Sequence, residues 1–368
     1  LKSLVYLAPV PWSAVAQRPH KFVEWFHAAH GGRVLWVDPS PSRLPQLRDL
    51  QRFVRPVVEP AAAVPPWMEL SRVRALPIEP LPGAAQLNAS RWAFTLSAVR
   101  RFTEQGACDL VVGKPSKLAL AVLARGAFAR TVYDAMDDFP SFHPGWAGRV
   151  MAEVEAAVAG SVQVVYASAT LLQRKFTAAG RPVPLVRNAC DPASLPVLNQ
   201  VAALREPGLV GYIGTLARWF DWGLLESLAR AHPHRRFRLI GPLHTTVPRS
   251  LPGNVEVRGP CAHREAMQEM ARFSIGLIPF HLDSLTAAVD PVKYYEYRAL
   301  GIPVLSTPFG EMPQHATQDD GVVLVRGDTS LREALEAAER VMDGAAKVQA
   351  FRDANAWERR FADAEAAC

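Results

Sequence analysis

Lys293 and Glu296 stand three residues apart in "DPVKYYEYRALG" (290–301), so a helix there carries an ammonium and a carboxylate on one face. The amine could meet phosphate oxygens while the carboxylate accepts hydrogen bonds from the neighbouring hydroxyls of a ribose. Asp290 is expected to cap this helix, with Pro291 in its first turn and Gly301 as its stop. Upstream, "GYIGTLARWFD" (211–221) sets Gly211 and Gly214 at the end of an apolar run, with Arg218 just beyond. Glycines let a ligand approach the main chain, helix-start amides near Trp219 would favour phosphate, and a guanidinium can clamp a diphosphate. The spacing is G-x-x-G with no acidic partner of the dinucleotide type, which argues against a nicotinamide cofactor. The loop 279–290 adds the hydroxyls of Ser284 and Thr286 beside the Lys293 helix.

A second group lies in "VYDAMDDFP" (132–140), where Asp134, Asp137 and Asp138 follow an apolar strand. A carboxylate at such a strand end could take the proton of an attacking hydroxyl, with Asp137 preferred and capping of the next turn as the plain alternative for Asp138. Their spacing is not a metal motif, and no metal is expected. "QRPH" (17–20) ends a long loop with Arg18 and His20. His20 could be a base or a substrate contact, or simply a residue that starts a helix.

These residues need a scaffold that gathers strand ends. Apolar β-branched runs at 3–9, 33–39, 108–114, 130–136, 162–168 and 183–188 alternate with amphipathic segments at 20–30, 85–105, 116–126, 147–159 and 169–179. The pattern restarts with strands at 208–214, 236–242, 254–260, 273–280, 303–308 and 321–325, and helices at 219–231, 262–271, 291–300, 329–343 and 346–365. Such alternation predicts an α/β protein of two Rossmann-like, doubly wound domains facing a central cleft. The first should cover 1–190, the second 208–345, with a proline-bearing linker at 191–207. The proline-rich stretch 56–82 reads as an irregular excursion with one or two edge strands.

The 368 residues suit two domains, and no apolar run is long enough to suggest a membrane span. The four cysteines are scattered and expected to be free thiols in a reducing cytoplasm. Formal charge divides unevenly, +9 over residues 1–190 and −3 over 191–368. A basic first half favours an anionic acceptor or membrane surface, and no nucleic-acid module is present.

"DPVKYYEYRALGIPVLSTP", with "GYIGTLARWFD" before it and "AWERR" (356–360) near the end, resembles the donor half of GT-B glycosyltransferases. The resemblance runs over nearly the whole chain and is strongest to bacterial enzymes of surface polysaccharide and cell-wall polymer synthesis. It implies a metal-independent hexosyltransferase with no cofactor, cytoplasmic and peripheral at the inner face of the membrane. The second domain would bind a nucleotide sugar and the first a lipid-linked or glycan acceptor, with the last helix (346–368) packed back on the first. For the donor it implies Gly214, Thr215, Arg218, Gly241, Pro242, Ser284, Thr286, Lys293 and Glu296. For catalysis it implies Asp137 as base with Lys293 and Arg218 at the diphosphate, and for the acceptor Arg18, His20, Asp134 and Asp138. Retaining members carry a glutamate eight positions before the ribose-binding one, and Ala288 stands there. The anomeric outcome stays open, with direct displacement favoured. A sugar-nucleotide 2-epimerase of the same fold and a non-catalytic nucleotide-sugar-binding partner are the alternatives.

Overall fold

A computed structural model describes residues 1–41, 63–177, 182–327 and 330–368. The chain forms two compact units, Leu1–Val186 with Phe361–Cys368, and Arg187–Arg360. Each is built on one six-stranded parallel sheet.

In the first unit the strands are β1 (Lys2–Leu7), β2 (Gly31–Val37), β3 (Met68–Ser71), β4 (Cys108–Val112), β5 (Arg130–Ala135) and β6 (Val164–Ala167), in the order β3-β2-β1-β4-β5-β6. The central strands are apolar without alternation because helices cover both faces. These helices are α1 (Arg18–His30), α2 (Ala84–Thr103), α3 (Lys117–Leu123), α4 (Gly145–Ser161) and α5 (Thr170–Thr177). The excursion contributes one edge strand, β3, which pairs only with β2; its part at 56–62 lies outside the described residues. The expected strand at 183–188 reduces to a single bridge, Ala167 to Leu185. Pro182 and Pro184 lack the N–H groups a ladder needs, and only their carbonyls serve β6.

The second unit repeats the plan with β7 (Leu209–Ile213), β8 (Arg236–Ile240), β9 (Val255–Arg258), β10 (Ile275–Ile278), β11 (Val304–Ser306) and β12 (Val322–Leu324), ordered β12-β11-β10-β7-β8-β9. The expected linker is not bare: it holds a short 3₁₀ turn (Pro192–Ser194) and α6 (Leu198–Leu204), whose Val201 is buried. Then follow α7 (Trp222–Ala231), α8 (His263–Ala271), α9 (Val292–Ala299), α10 (Met312–Gln318), α11 (Leu331–Glu339), α12 (Ala345–Ala354) and α13 (Trp357–Ala366). The single terminal helix expected over 346–365 breaks at Asn355 and Ala356, where Cys190 N–H bonds the Asn355 carbonyl and Trp357 N–H bonds the Cys190 carbonyl. Beyond the break, Phe361 packs on Phe22, with ring centres 4.9 Å apart, in the first unit.

In both sheets the strand order reverses beside the first strand of the unit, between β1 and β4 and between β7 and β10. In this fold ligands collect at the carboxyl ends of strands at that switch point. At the second one, Gly211 of β7 and Gly276 of β10 are register partners. A Cβ at the former would overlap the Phe273 ring, and at the latter the Tyr297 ring. The absent side chain of Gly276 seats the ring of α9's Tyr297 against the sheet, where its hydroxyl donates to the Gly211 carbonyl at 3.3 Å.

Candidate functional site

The loops leaving β7 and β8 are fused into one platform. Gly214 N–H bonds the Ile240 carbonyl at 2.9 Å, Leu216 N–H the Pro242 carbonyl at 2.9 Å, and His244 N–H the Leu216 carbonyl at 2.8 Å. Gly214 and Gly241 have φ of 151° and 148°, and a Cβ on Gly241 would overlap the Gly214 carbonyl oxygen, so both corners require glycine. Thr215 is held by the Tyr212 hydroxyl, which donates to its carbonyl at 2.9 Å.

Lys293 reaches this platform from the first turn of α9. Its amine lies 5.3 Å from the centre of the Tyr212 ring, and a Cβ on Gly214 would overlap its Cε and Nζ. Burial pushes its pKa down, opposed by Glu296. Glu296, one turn on, is pushed up by burial, with Lys293 and His263 acting in the opposite direction. Neither side chain has a hydrogen-bonding or ion-pair partner among the described residues.

The helix that presents them is fixed from behind. Asp290 is not its cap: Pro291 occupies the cap position, and the Asp290 carboxylate is buried elsewhere. It accepts from Asn188 N–H at 2.6 Å and the Tyr295 hydroxyl at 2.9 Å, and pairs with His315 Nε2 at 2.7 Å. Arg298 is anchored to Asp319 at 2.7 Å and Asp343 at 2.5 Å. Gly301, at φ 64°, ends the helix as expected, with its own N–H on the Arg298 carbonyl and Ile302 N–H on that of Tyr297. Lys293 and Tyr297 thus look toward the sheet's switch point while Tyr295 and Arg298 hold the other side.

Other donor-side residues fall differently. The helix expected near Trp219 begins at Trp222, and Asp221 caps it by accepting from Leu224 N–H at 2.9 Å. A carboxylate therefore already occupies that helix start. Arg218 lies exposed in the preceding turn, which is tied to the segment after β10 through Asp221 N–H to the Pro279 carbonyl at 2.7 Å and His281 N–H to the Trp219 carbonyl at 2.8 Å. Ser284 is exposed. Thr286 is buried with its hydroxyl turned onto the His281 carbonyl at 2.5 Å, so it orders its own loop and does not offer that hydroxyl to a ligand. Ala288 is buried just beyond it.

In the first unit most of the expected site residues are already held by other protein groups. Arg18 and Asp134 form a buried two-pronged pair, Nη2 to Oδ1 at 2.6 Å and Nε to Oδ2 at 3.0 Å, and Arg18 also donates to the Val186 carbonyl at 2.7 Å. The Tyr6 hydroxyl donates to Asp134 at 3.5 Å. His20 closes a capping box at the start of α1: its Nδ1 accepts from Gln17 N–H at 3.2 Å and its Nε2 donates to the Trp12 carbonyl at 3.2 Å. With both ring nitrogens engaged and burial pushing its pKa down, it is a neutral structural histidine and not a base. Asp138 pairs with Lys175 at 2.5 Å, which also holds the buried Glu155 at 2.5 Å.

Asp137 is the exception. It follows β5 on the same loop and accepts no hydrogen bond from a protein group among the described residues. Burial raises its pKa to about 7, with Asp134 and Asp138 pushing the same way and Arg18 against them. A half-buried carboxyl poised near neutrality is suited to accept a proton at physiological pH. No group of three or more possible metal ligands occurs among the described residues. Sequence reasoning missed Tyr212, whose ring underlies the Lys293 amine, and the Asp290–His315 pair behind α9.

Residues 218–366 match a family described as glycosyl transferase-like. Over 147 residues the chain is 28% identical to TuaH of Bacillus subtilis, a protein assigned to teichuronic acid biosynthesis as a glycosyltransferase; the match spans 37% of this chain and 37% of TuaH. Among solved structures, sucrose-phosphate synthase of Thermosynechococcus elongatus aligns over 99% of this chain and 97% of its own, at 13% identity and a TM-score of 0.66. HepE of Anabaena, in complex with UDP, aligns over 100% of both chains at 14% identity and a TM-score of 0.64. These likenesses establish the fold.

Proposed function

For a chain with the GT-B glycosyltransferase fold and a glycosyl transferase-like match over residues 218–366, we propose transfer of a sugar from a nucleoside-diphosphate donor to a hydroxyl of a lipid-linked or polysaccharide acceptor. One observation carries this reading. The neighbouring charged groups Arg18, Asp134, Asp138, Asp290 and Arg298 are consumed by protein partners. Asp137, Lys293 and Glu296 are withdrawn from water without one among the described residues. Unpaired buried charge is costly, and a ligand that completes it explains its retention.

In this scheme the acceptor oxygen attacks the anomeric carbon as Asp137 takes its proton. The bond from that carbon to the diphosphate oxygen breaks, and its electron pair leaves with the nucleoside diphosphate. Lys293 and Arg218 meet the negative charge that grows on the leaving oxygens, a role that needs no divalent cation. Glu296 accepts from the ribose hydroxyls, while the Gly214–Gly241 corner admits the diphosphate to the main chain. Ala288 supplies no second carboxylate, which favours direct displacement with inversion. HepE is held with UDP, so UDP-sugars are the first donors to try. The TuaH likeness suggests a place in bacterial cell-envelope polymer synthesis, at the cytoplasmic face of the membrane.

Purified protein should release nucleoside diphosphate from one member of a nucleotide-sugar panel only when a lipid-linked or glycan acceptor is added, and chelator should not reduce the rate. Interconversion of the sugar nucleotide without acceptor would assign an epimerase instead. Tight donor binding with no turnover across the acceptors would mark a non-catalytic partner.

A further inference from the structure

Helix α2 has twenty residues, three of them arginine and none acidic. Its inner face is set by Ala84, Asn88, Trp92, Thr95, Val99 and Phe102, all buried at helical spacing. The outer face ought to be polar, yet Leu87 is 60% and Phe94 59% exposed. They lie seven residues apart and so on one line, with exposed Arg91 between them and exposed Arg101 seven residues further on.

A second segment adds to this stripe. Asn88 clamps Leu76 by accepting from its N–H at 2.7 Å and donating to its carbonyl at 3.3 Å. The chain just before Leu76 thereby runs along the helix, and the Arg74 guanidinium lies 5.8 Å from the centre of the Phe94 ring. Arg72 and Arg100 are also exposed. At the end of the helix Glu104 pairs with Arg100 at 3.7 Å, and among the described residues no ion pair reaches Arg74, Arg91 or Arg101. Two largely exposed apolar side chains flanked by Arg74, Arg91 and Arg101, which have no acidic partner among the described residues, complement a surface that is apolar below and anionic above.

We propose that this face of α2 docks on an anionic lipid bilayer. Leu87 and Phe94 enter the boundary of the acyl chains while Arg74, Arg91 and Arg101 meet lipid phosphates. No helix among the described residues is long and apolar enough to cross a membrane, so the contact is interfacial. Trp67 takes no part, because its ring stacks on His27 at 4.4 Å. The inference deepens the lipid-linked-acceptor reading and supplies its means of approach, but the docking can be measured without any transfer.

The test is co-sedimentation of the full chain with vesicles of phosphatidylcholine alone or mixed equally with phosphatidylglycerol. The wild type should partition onto the anionic vesicles only. Leu87→Ser/Phe94→Ser and Arg91→Gln/Arg101→Gln should each weaken that partition at least tenfold, each arginine contributing roughly fivefold. Unchanged melting temperature and UDP affinity in both variants would confirm that they remain folded. Equal binding to neutral vesicles, or wild-type partition in either variant, would overturn the proposal. Capture by a soluble anionic polysaccharide that does not need Leu87 and Phe94 would replace lipid with glycan. A chain that docks but transfers no sugar would refute the function proposed above and leave this inference standing.

Discussion

Replacing Asp137 by asparagine should sharply lower turnover and stabilise the fold, because one cause underlies both effects. The carboxyl is raised to about 7 chiefly by burial, from an ordinary value of 3.8. Its folded pKa lies above its unfolded one, so the native state binds the proton more tightly and stability falls as pH rises between the two values. Three pKa units correspond to about 4 kcal/mol, and partial solvent access reduces this to roughly 2–4 kcal/mol. Asparagine is neutral at every pH and escapes the penalty. Asp137→Asn should therefore melt roughly 4–16 °C above wild type at pH 8. At pH 4.5 the advantage should shrink to about a quarter, since there wild-type Asp137 is also protonated in the fold. Differential scanning calorimetry at the two pH values reads this directly, with acceptor-dependent nucleotide release measured alongside. Turnover should fall about 10²–10⁴-fold. A stability difference that is absent, or the same at both pH values, would refute the burial argument. Wild-type turnover in the stabilised variant would remove the base assignment.

Other expectations follow from the same geometry. The pH profile of wild-type kcat/KM should have an acid limb near 7, falling as Asp137 gains its proton, and the limb should vanish from any residual activity of Asp137→Asn. Glu296→Gln should bind UDP and 2′-deoxy-UDP with similar affinity, whereas the wild type should prefer the ribose form by isothermal titration calorimetry. Gly214→Ala should displace the Lys293 amine and lower UDP affinity at least tenfold, while strain at φ 151° costs about 1–3 kcal/mol in chemical denaturation. His315→Ala should destabilise the second unit by about 1.5–3 kcal/mol in urea, because it strips one hydrogen bond from the buried Asp290 carboxylate and leaves those from Asn188 and Tyr295.

Features set by local sequence were legible. The inner strands β7, β10 and β11 of the second unit are nearly continuous apolar runs, the Gly301 stop lies where a helix must end, and the three-residue step from Lys293 to Glu296 placed both on one face. What the sequence hid depends on partners far along the chain. Arg18 meets Asp134 across 116 residues and Asn188 meets Asp290 across 102, so neither exposed-looking charge showed that it was already paired. His20 hid differently: its capping box needs Gln17, an uncommon cap residue, in place of the usual serine or threonine. The short helix Met312–Gln318, with Pro313 in its first turn and few apolar positions, gave no periodic signal. Asp137 was already preferred over Asp134 and Asp138 in the sequence, and the ion pairs of its two neighbours supply the physical reason.

The central claim is that Lys293 and Glu296 await a nucleoside diphosphate. Titration calorimetry of UDP and of uridine into wild type and Lys293→Ala tests it most directly. The account predicts that the wild type binds UDP, that the variant loses at least tenfold in UDP affinity, and that uridine binds both proteins alike. UDP affinity equal in the two proteins would contradict it.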